Sequence, residues 1–483
     1  MPKNLRTFMR DAVERFPGSI KVIDVPVERR FGITAYAAKL AQTGEYKGLL
    51  FNNVIGSRFP VVTNLMSSYD RMAMAMNCGI EELPQVYGTR VKKPIAPVTV
   101  ARDAAPVKDV VVRADIDLET LPIPVHNALD GGPYLTAAAT VMRDPETGAQ
   151  NVGIYRHHVF NKTEMGVWFF GSHHGSHIVG RYERRGERTP FAIAIGHHPA
   201  FLMGAAARLP GIGGEYEAAG ALLGEPVELV EAETSDLMVP AQAEFIIEGY
   251  IAPGQLRREG PFGEWPGHYL NEEDVPIMTV TAITHRRDAI FQDIIGAGRE
   301  HLLMGGIPRA GSIYRSVKEV VPDVVAVNVP PHSRMHCYVS IKRRHNVDAK
   351  RAAFAALNTE PENLRAVIVV DDDINVYDDG DVLWAVGTRF DATRDLTVVQ
   401  GWSGPGGLLP TNWEYFADGT KTARASSAII IDATKPPPPV PYPPRTQVPD
   451  DEVNRVDLGT MSDLTGENTY LRAAEGAARL GLV

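Results

Sequence analysis

The stretch REGPFGEWPGHY, residues 258–269, sets Glu259 and Glu264 five positions apart across Gly-Pro-Phe-Gly. Glycine permits unusual φ and proline fixes it, so this linker must turn. A turn can bring both carboxyls into one cleft. Like-charged carboxylates held close in a partly dry place push one pKa up, which makes a general acid at neutral pH. The alternative is a surface loop with two solvated glutamates, and the residue types alone leave both open.

Other chemistry-bearing residues are less specific. The histidines cluster as His157–His158, His173–His174 with His177, and His197–His198, but no HExxH zinc helix is present. Adjacent residues on a strand face opposite sides, so each pair offers one imidazole to any one site. Taken singly they are packed or surface histidines rather than ligands. The glycine clusters GAGREHLLMGG (296–306) and GWSGPGG (401–407) lack the spacing of a phosphate loop and are expected to be plain turns. Asp371, Asp372 and Asp373 follow the strand-like run AVIVV. They could hold Mg²⁺, but an exposed turn is the simpler expectation. The mixed charges of RYERRGER (181–188) predict a solvated loop.

These residues need a scaffold, and its pattern is α/β at both ends with a strand-rich middle. Helical periodicity covers residues 5–16, 33–42 and 67–77, with strands over 20–27 and 48–54. The proline-rich segment 92–112 marks a domain boundary. Apolar or alternating runs at 134–144, 150–160, 166–171, 191–199, 244–252, 276–285 and 289–296 predict antiparallel strands curled into a barrel, interrupted by a helix at 201–211. Strands and helices alternate again from 310, with helices at 348–358 and 381–390. KPPPPVPYPP (435–444) is an extended linker, and NTYLRAAEGAARLG predicts a tail helix. The expected domains are 1–112, 113–308, 309–450 and a tail, 451–483.

The chain has 483 residues and a net charge of −10, which argues against a general nucleic-acid binder. Two cysteines, Cys78 and Cys337, cannot build a disulfide framework and fit a reducing compartment. No apolar run approaches a membrane span, and the charged start has no signal-peptide core. The expected location is cytoplasmic.

Four motifs then stand in one order: NVGIYR (151–156), GGEYEAAGALLGEPVELV (213–230), EGPFGE (259–264) and IDATKP (431–436). Together they resemble the UbiD family of reversible decarboxylases, and the resemblance runs from residue 50 to 436. It implies an N-terminal α/β domain, a central split β-barrel that binds prenylated FMN (prFMN), and a C-terminal α/β domain carrying oligomer contacts. It implies non-oxidative decarboxylation of an aromatic, heteroaromatic or α,β-unsaturated acid, furan, pyrrole and dicarboxylic types included. Arg156, Glu259 and Glu264 match the catalytic network, with Glu264 as proton donor. Asn151, His174 and Glu215 match the Mn²⁺ ligands that tie the flavin phosphate to the protein, with K⁺ beside them; His173 and His177 are the competing positions for His174. Ile154, Tyr155, Arg156 and His173 join the implied cofactor contacts. His301 and Arg309 resemble a substrate-lining pair of the furan-dicarboxylate branch, Arg309 for a second carboxylate and His301 for a ring heteroatom. Where many members carry a lysine near the cofactor phosphate this chain has Ala428, so another base such as Lys421 is expected to replace it. The implied partners are a flavin prenyltransferase and further copies of the chain, as homodimer or homohexamer. A flavin-dependent oxidoreductase and a non-catalytic subunit of a decarboxylase complex remain as alternatives; the full Arg156/Glu259/Glu264 set argues against the latter.

Overall fold

Nine strands, eight of them within residues 134–285, form one antiparallel sheet. Its order is Tyr134–Leu135, His157–Val159, Glu164–Val167, Glu273–His285, Phe245–Glu259, Thr189–Ile195, Ala139–Arg143 and Gln150–Ile154, with Val110–Val112 also on Glu273–His285. The two longest strands slip register between Glu248 and Gly249 and again between Ile251 and Leu256. Such bulges raise local twist, which curls the sheet into the expected split barrel. The computed structural model describes residues 2–460 except 172, 271, 404–408, 419 and 447. The expected tail helix and most of GWSGPGG therefore lie outside the described residues.

The N-terminal sheet runs Ile20–Ile23, Gly48–Phe51, Val61–Thr63 and Phe291–Gln292. The last strand comes from the run expected to continue the barrel; it pairs instead in parallel with Val61–Thr63. The C-terminal sheet runs Val324–Asn328, His336–Ile341, Ala366–Asp371, Ser426–Ala433 and Leu396–Ser403. Ala352, Ala353, Ala356 and Leu357 of the helix Asp348–Thr359 are buried in its core. Residues 1–437 form one compact unit. Residues 438–483 form another, whose described part contains the helix Asp450–Arg455. The polyproline run lies outside helices and sheets, as its composition requires.

Two expectations fail for local reasons. RYERRGER is not a loop in its first part: Arg181 to Arg185 complete the helix His174–Arg185, and Gly186 at φ 69° closes it. Arg181 is tied to Asp144 at 2.5 Å, a partner distant in sequence. GAGREHLLMGG is not a set of turns: from Arg299 it opens the helix Arg299–Val320, 22 residues long. Gly305, Gly306 and Pro308 in its interior hide the helical pattern. Each glycine costs about 1 kcal/mol against alanine and proline about 3. Burial of Leu303, Ile307, Ala310, Ile313 and Val317 offsets that cost. The acidic run keeps its expected exposed turn at Asp372 and Asp373, whereas Asp371 ends a buried strand; Asp371 and Asp373 both pair with Arg389, at 2.7 and 2.8 Å.

Candidate active site

Arg156 lies in the two-residue connection between the strands Gln150–Ile154 and His157–Val159. Glu259 ends the strand Phe245–Glu259, and Gly260 turns the chain with φ 104°, a backbone state that favours glycine. The hairpin Phe262–Gly263 with Tyr269–Leu270 returns Glu264 to the same point. The turn brings the two carboxylates together, as the motif suggested. They meet one guanidinium. Nε and Nη2 of Arg156 donate to Glu259 at 3.0 and 2.9 Å, and Nη1 donates to Glu264 at 2.9 Å. A guanidinium has five N–H donors; three are used, which leaves two. The rings of Trp168 and Phe262 lie 4.7 and 5.0 Å from its carbon and fix its plane. Glu259 is wholly buried, whereas Glu264 lines a cavity of about 620 Å³, a size suited to a cofactor with a small ligand.

The same cavity collects the other predicted residues: Asn151, Ile154, Tyr155, His173, His174, Glu215, His301 and Arg309. His174 Nδ1 lies 2.9 Å from Asn151 Oδ1 and 3.7 Å from Glu215 Oε1. His177 is exposed and outside this group. Burial pushes the Glu215 carboxyl up to about 7, although the Val152 N–H donates to it at 3.2 Å. A buried carboxylate so poorly compensated, beside an amide oxygen and an imidazole, fits a divalent cation that accepts oxygen and nitrogen donors, such as Mn²⁺. Among the described residues no group of three His, Cys, Asp or Glu side chains forms a site on its own; here the third donor is an amide. Gly153 lines the same wall, where a Cβ would overlap the Tyr155 hydroxyl.

The other two histidine pairs, His157–His158 and His197–His198, are packed. Burial drives His157 to about 3, and its Nε2 lies 3.1 Å from Thr140 Oγ1. His158 stacks on Tyr134 and His197 on Phe201, at 4.6 and 4.2 Å. Lys421 does not replace the absent lysine. It lies 4.3 Å over Trp413 on a separate hairpin and does not line the cavity, while Ala428 is buried in the C-terminal core.

Another part of the cavity's lining comes from the helix Arg299–Val320 and from segments the motifs did not single out. His301 is pushed down to about 4, first by burial and then by Arg334 and Arg309, against the pull of Glu264. Its Nδ1 accepts from the Ala297 N–H at 3.3 Å, which leaves Nε2 to carry the proton. Arg309 sits 3.5 Å from Glu360, which also accepts from Arg208 at 3.0 and 3.1 Å. Burial lowers Arg309 to about 10. Trp265, Arg208 and Arg334 complete this wall. Arg208, Arg334 and Glu360 lie in three separate segments, and the one trace they leave in sequence is the Gly305–Gly306 pair inside a helix.

Three domain models of one family match consecutive parts of the chain. They are the N-terminal, Rift-related and C-terminal domains of 3-octaprenyl-4-hydroxybenzoate carboxy-lyase, over residues 14–91, 98–299 and 302–409. The anhydromevalonate phosphate decarboxylase of Methanothermobacter thermautotrophicus is 32% identical over 430 residues, covering 89% of this chain and 97% of the relative. The UbiD-class enzyme HmfF from Pelotomaculum thermopropionicum, solved with FMN, superposes with a TM-score of 0.85 at 37% identity, over 94% of this chain and 99% of that one. An evolved dimeric form of HmfF, solved with prFMN, gives 0.83 at 36% over the same shares. The 3,4-dihydroxybenzoic acid decarboxylase of Enterobacter cloacae gives 0.84 at 27%, over 93% and 98%.

Proposed function

The chain belongs to the UbiD family of carboxy-lyases and is a decarboxylase, and on that premise we propose that it releases CO₂ from an aromatic, heteroaromatic or α,β-unsaturated acid with Glu264 as the proton donor. The observation that carries this is the buried Glu259–Arg156–Glu264 chain opening on one side into the cavity. When bound, prFMN supplies the electron sink that an sp² carbon lacks. Asn151, His174 and Glu215 would hold its Mn²⁺, and Ile154, Tyr155 and His173 would line its bed.

The chain's own residues do the rest. The two spare N–H donors of Arg156 take the substrate carboxylate in a forked pair, which suits a planar guanidinium. Glu259 holds Arg156 from behind through a bidentate pair and never reaches the cavity. Once CO₂ has left, Glu264 delivers a proton to the carbon that carried it, and the electron pair freed by the broken C–C bond ends in the new C–H bond. Solvent then reprotonates Glu264. In the same cavity, neutral His301 donates from Nε2 to a ring heteroatom, and Arg309 faces a second carboxylate where the acid has one.

The test is protein co-expressed with a flavin prenyltransferase, supplied with furan, pyrrole, hydroxybenzoic and acrylic acids. The wild type is expected to form the decarboxylated product from at least one. Glu264→Gln is expected to lose at least about 100-fold in rate, the scale of general acid catalysis, with the prFMN mass still released from the folded protein. Turnover at the wild-type rate in Glu264→Gln overturns the assignment of the proton donor.

A further inference from the structure

The place of Glu264 depends on a segment outside the catalytic motifs. Residues 126–131 run along the hairpin Phe262–Gly263 with Tyr269–Leu270 and bond to it or its approach at three points. Asp130 Oδ1 accepts from the Gly263 N–H at 2.9 Å. The Gly131 N–H donates to the Pro261 carbonyl at 2.8 Å, and the Leu129 N–H to the Tyr269 hydroxyl at 3.2 Å. The two chains lie so close that a Cβ on Gly131 would overlap the Gly260 carbonyl, and one on Gly263 the Asn127 amide. The other end of the segment is tied to the cavity lining. His126 Nε2 lies 2.9 Å from Asp293 Oδ1, and Asn127 Nδ2 donates to the Gly296 carbonyl at 3.4 Å. Ile294, which follows Asp293, lines the cavity with Gly296. Asp130 is only 7% exposed and is not a cavity-lining residue. Its Oδ2 accepts from the Asn127 N–H at 2.8 Å, so one carboxylate joins this anchored segment to the residue before Glu264.

The hairpin's own bonds, from the Glu264 N–H to the His268 carbonyl and from the Gly267 N–H to the Glu264 carbonyl, fix its shape and not its place. We propose that Asp130 is a positioning residue for the proton donor. Its carboxylate holds Gly263, and with it the backbone of Glu264, where the Glu264 side chain reaches both Arg156 and the cavity. Asp130 touches neither substrate nor cofactor. A carboxylate suits this task, because hydrogen bonds to it are about twice as strong as neutral ones. Removing it leaves the buried Gly263 N–H without an acceptor, which is costly and favours movement of the hairpin. A shift of about 1 Å in a catalytic group costs on the order of 100-fold in rate, so this segment governs turnover from outside the cavity. The inference rests on the decarboxylase reading above, since it takes Glu264 as the donor.

The experiment compares Asp130→Ala and Asp130→Asn with wild type, all as prFMN-loaded protein. Hydrogen exchange read by mass spectrometry tests the brace without turnover. Peptides spanning residues 260–270 should exchange about 10-fold faster or more in Asp130→Ala, while the strand Ala366–Asp371 keeps its wild-type rate. Kinetics use whichever of the furan, pyrrole, hydroxybenzoic and acrylic acids wild type turns over. Rates are counted per bound prFMN, so that lost loading does not enter. In Asp130→Ala, kcat should fall about 10- to 100-fold with KM within about threefold, since the donor moves and the carboxylate anchor does not. Asp130→Asn, which keeps one acceptor oxygen, should recover part of both effects; if Asp130→Ala does not fold, the same two readings are taken on Asp130→Asn. Unchanged exchange at 260–270 overturns the brace. Faster exchange there with an unchanged kcat, or a loss carried by KM alone, overturns the positioning role. If wild type turns over none of these acids, the reaction assignment falls, and exchange alone decides whether Asp130 holds the hairpin.

Discussion

Arg156 spends three of its N–H donors on the protein and keeps two, and this division decides what each neighbour can do. Glu259, wholly buried and doubly bonded, is a fixture that aims the guanidinium. Glu264, singly bonded and at the cavity wall, can approach a substrate carbon. Lysine at 156 would keep the charge but could not serve both carboxylates and a substrate in one plane. Arg156→Lys is therefore expected to lose at least about 100-fold in kcat/KM. It is also expected to destabilise the fold by about 1–3 kcal/mol, because Glu259 keeps one hydrogen bond where it had two. Steady-state kinetics and thermal melting of the same preparation check both. Near-normal kcat/KM in a folded Arg156→Lys enzyme would show that charge alone suffices, and the forked carboxylate anchor would have to be abandoned.

The helix Arg299–Val320 carries His301, Gly305 and Arg309 along one cavity wall, and its start is pinned by Glu300. The Glu300 carboxylate accepts the backbone N–H groups of Asn64 and Met66 at 2.6 and 2.8 Å. Burial raises its pKa to about 8 even so, with Asp293 adding and Arg71 opposing. A folded pKa above the unfolded value means that the native state holds the proton more tightly. This contribution to stability is fully present below about pH 4.5 and is lost as pH rises through about 8. Glu300→Gln, which cannot ionise, should lower the melting midpoint at pH 6, since one backbone donor loses its acceptor at about 1–3 kcal/mol. It should also fall less than wild type between pH 6 and 8. Parallel declines in the two proteins would remove Glu300 as the source of that slope. The same helix marks the limit of what the sequence discloses. Its glycines and proline break the apolar period, so segment 296–306 resembles turns until the packing that pays for them is seen. The Arg156, Glu259 and Glu264 set was legible because two members share one motif and the third sits in another. Arg208, Arg334 and Glu360 were not, since residues scattered across three segments carry no spacing to read.

At the scale of the molecule, the three residues proposed as cation ligands come from three separate elements. Asn151 lies on the strand Gln150–Ile154, His174 opens the helix His174–Arg185, and Glu215 opens the helix Glu215–Leu223. Each element has its own neighbours: the strand belongs to the nine-stranded sheet, and Glu215–Leu223 packs on the helix Pro199–Ala205. A divalent ion held by all three is a cross-link present only in the folded state, so its binding energy is also folding energy. Stabilisation of this kind follows ligand concentration and amounts to about 2.7 kcal/mol at 100 times Kd. FMN with Mn²⁺ should therefore raise the melting midpoint of the wild-type chain by a few degrees. FMN with a chelator should raise it less. Glu215→Ala should show the smaller rise in both conditions, because a third of the ligand set is gone whatever the metal supply. None of these readings needs turnover, so they separate cofactor seating from chemistry. If Glu215→Ala gains as much from Mn²⁺ as the wild type does, the ion binds elsewhere, and Asn151, His174 and Glu215 are a packed polar cluster rather than the metal's ligands.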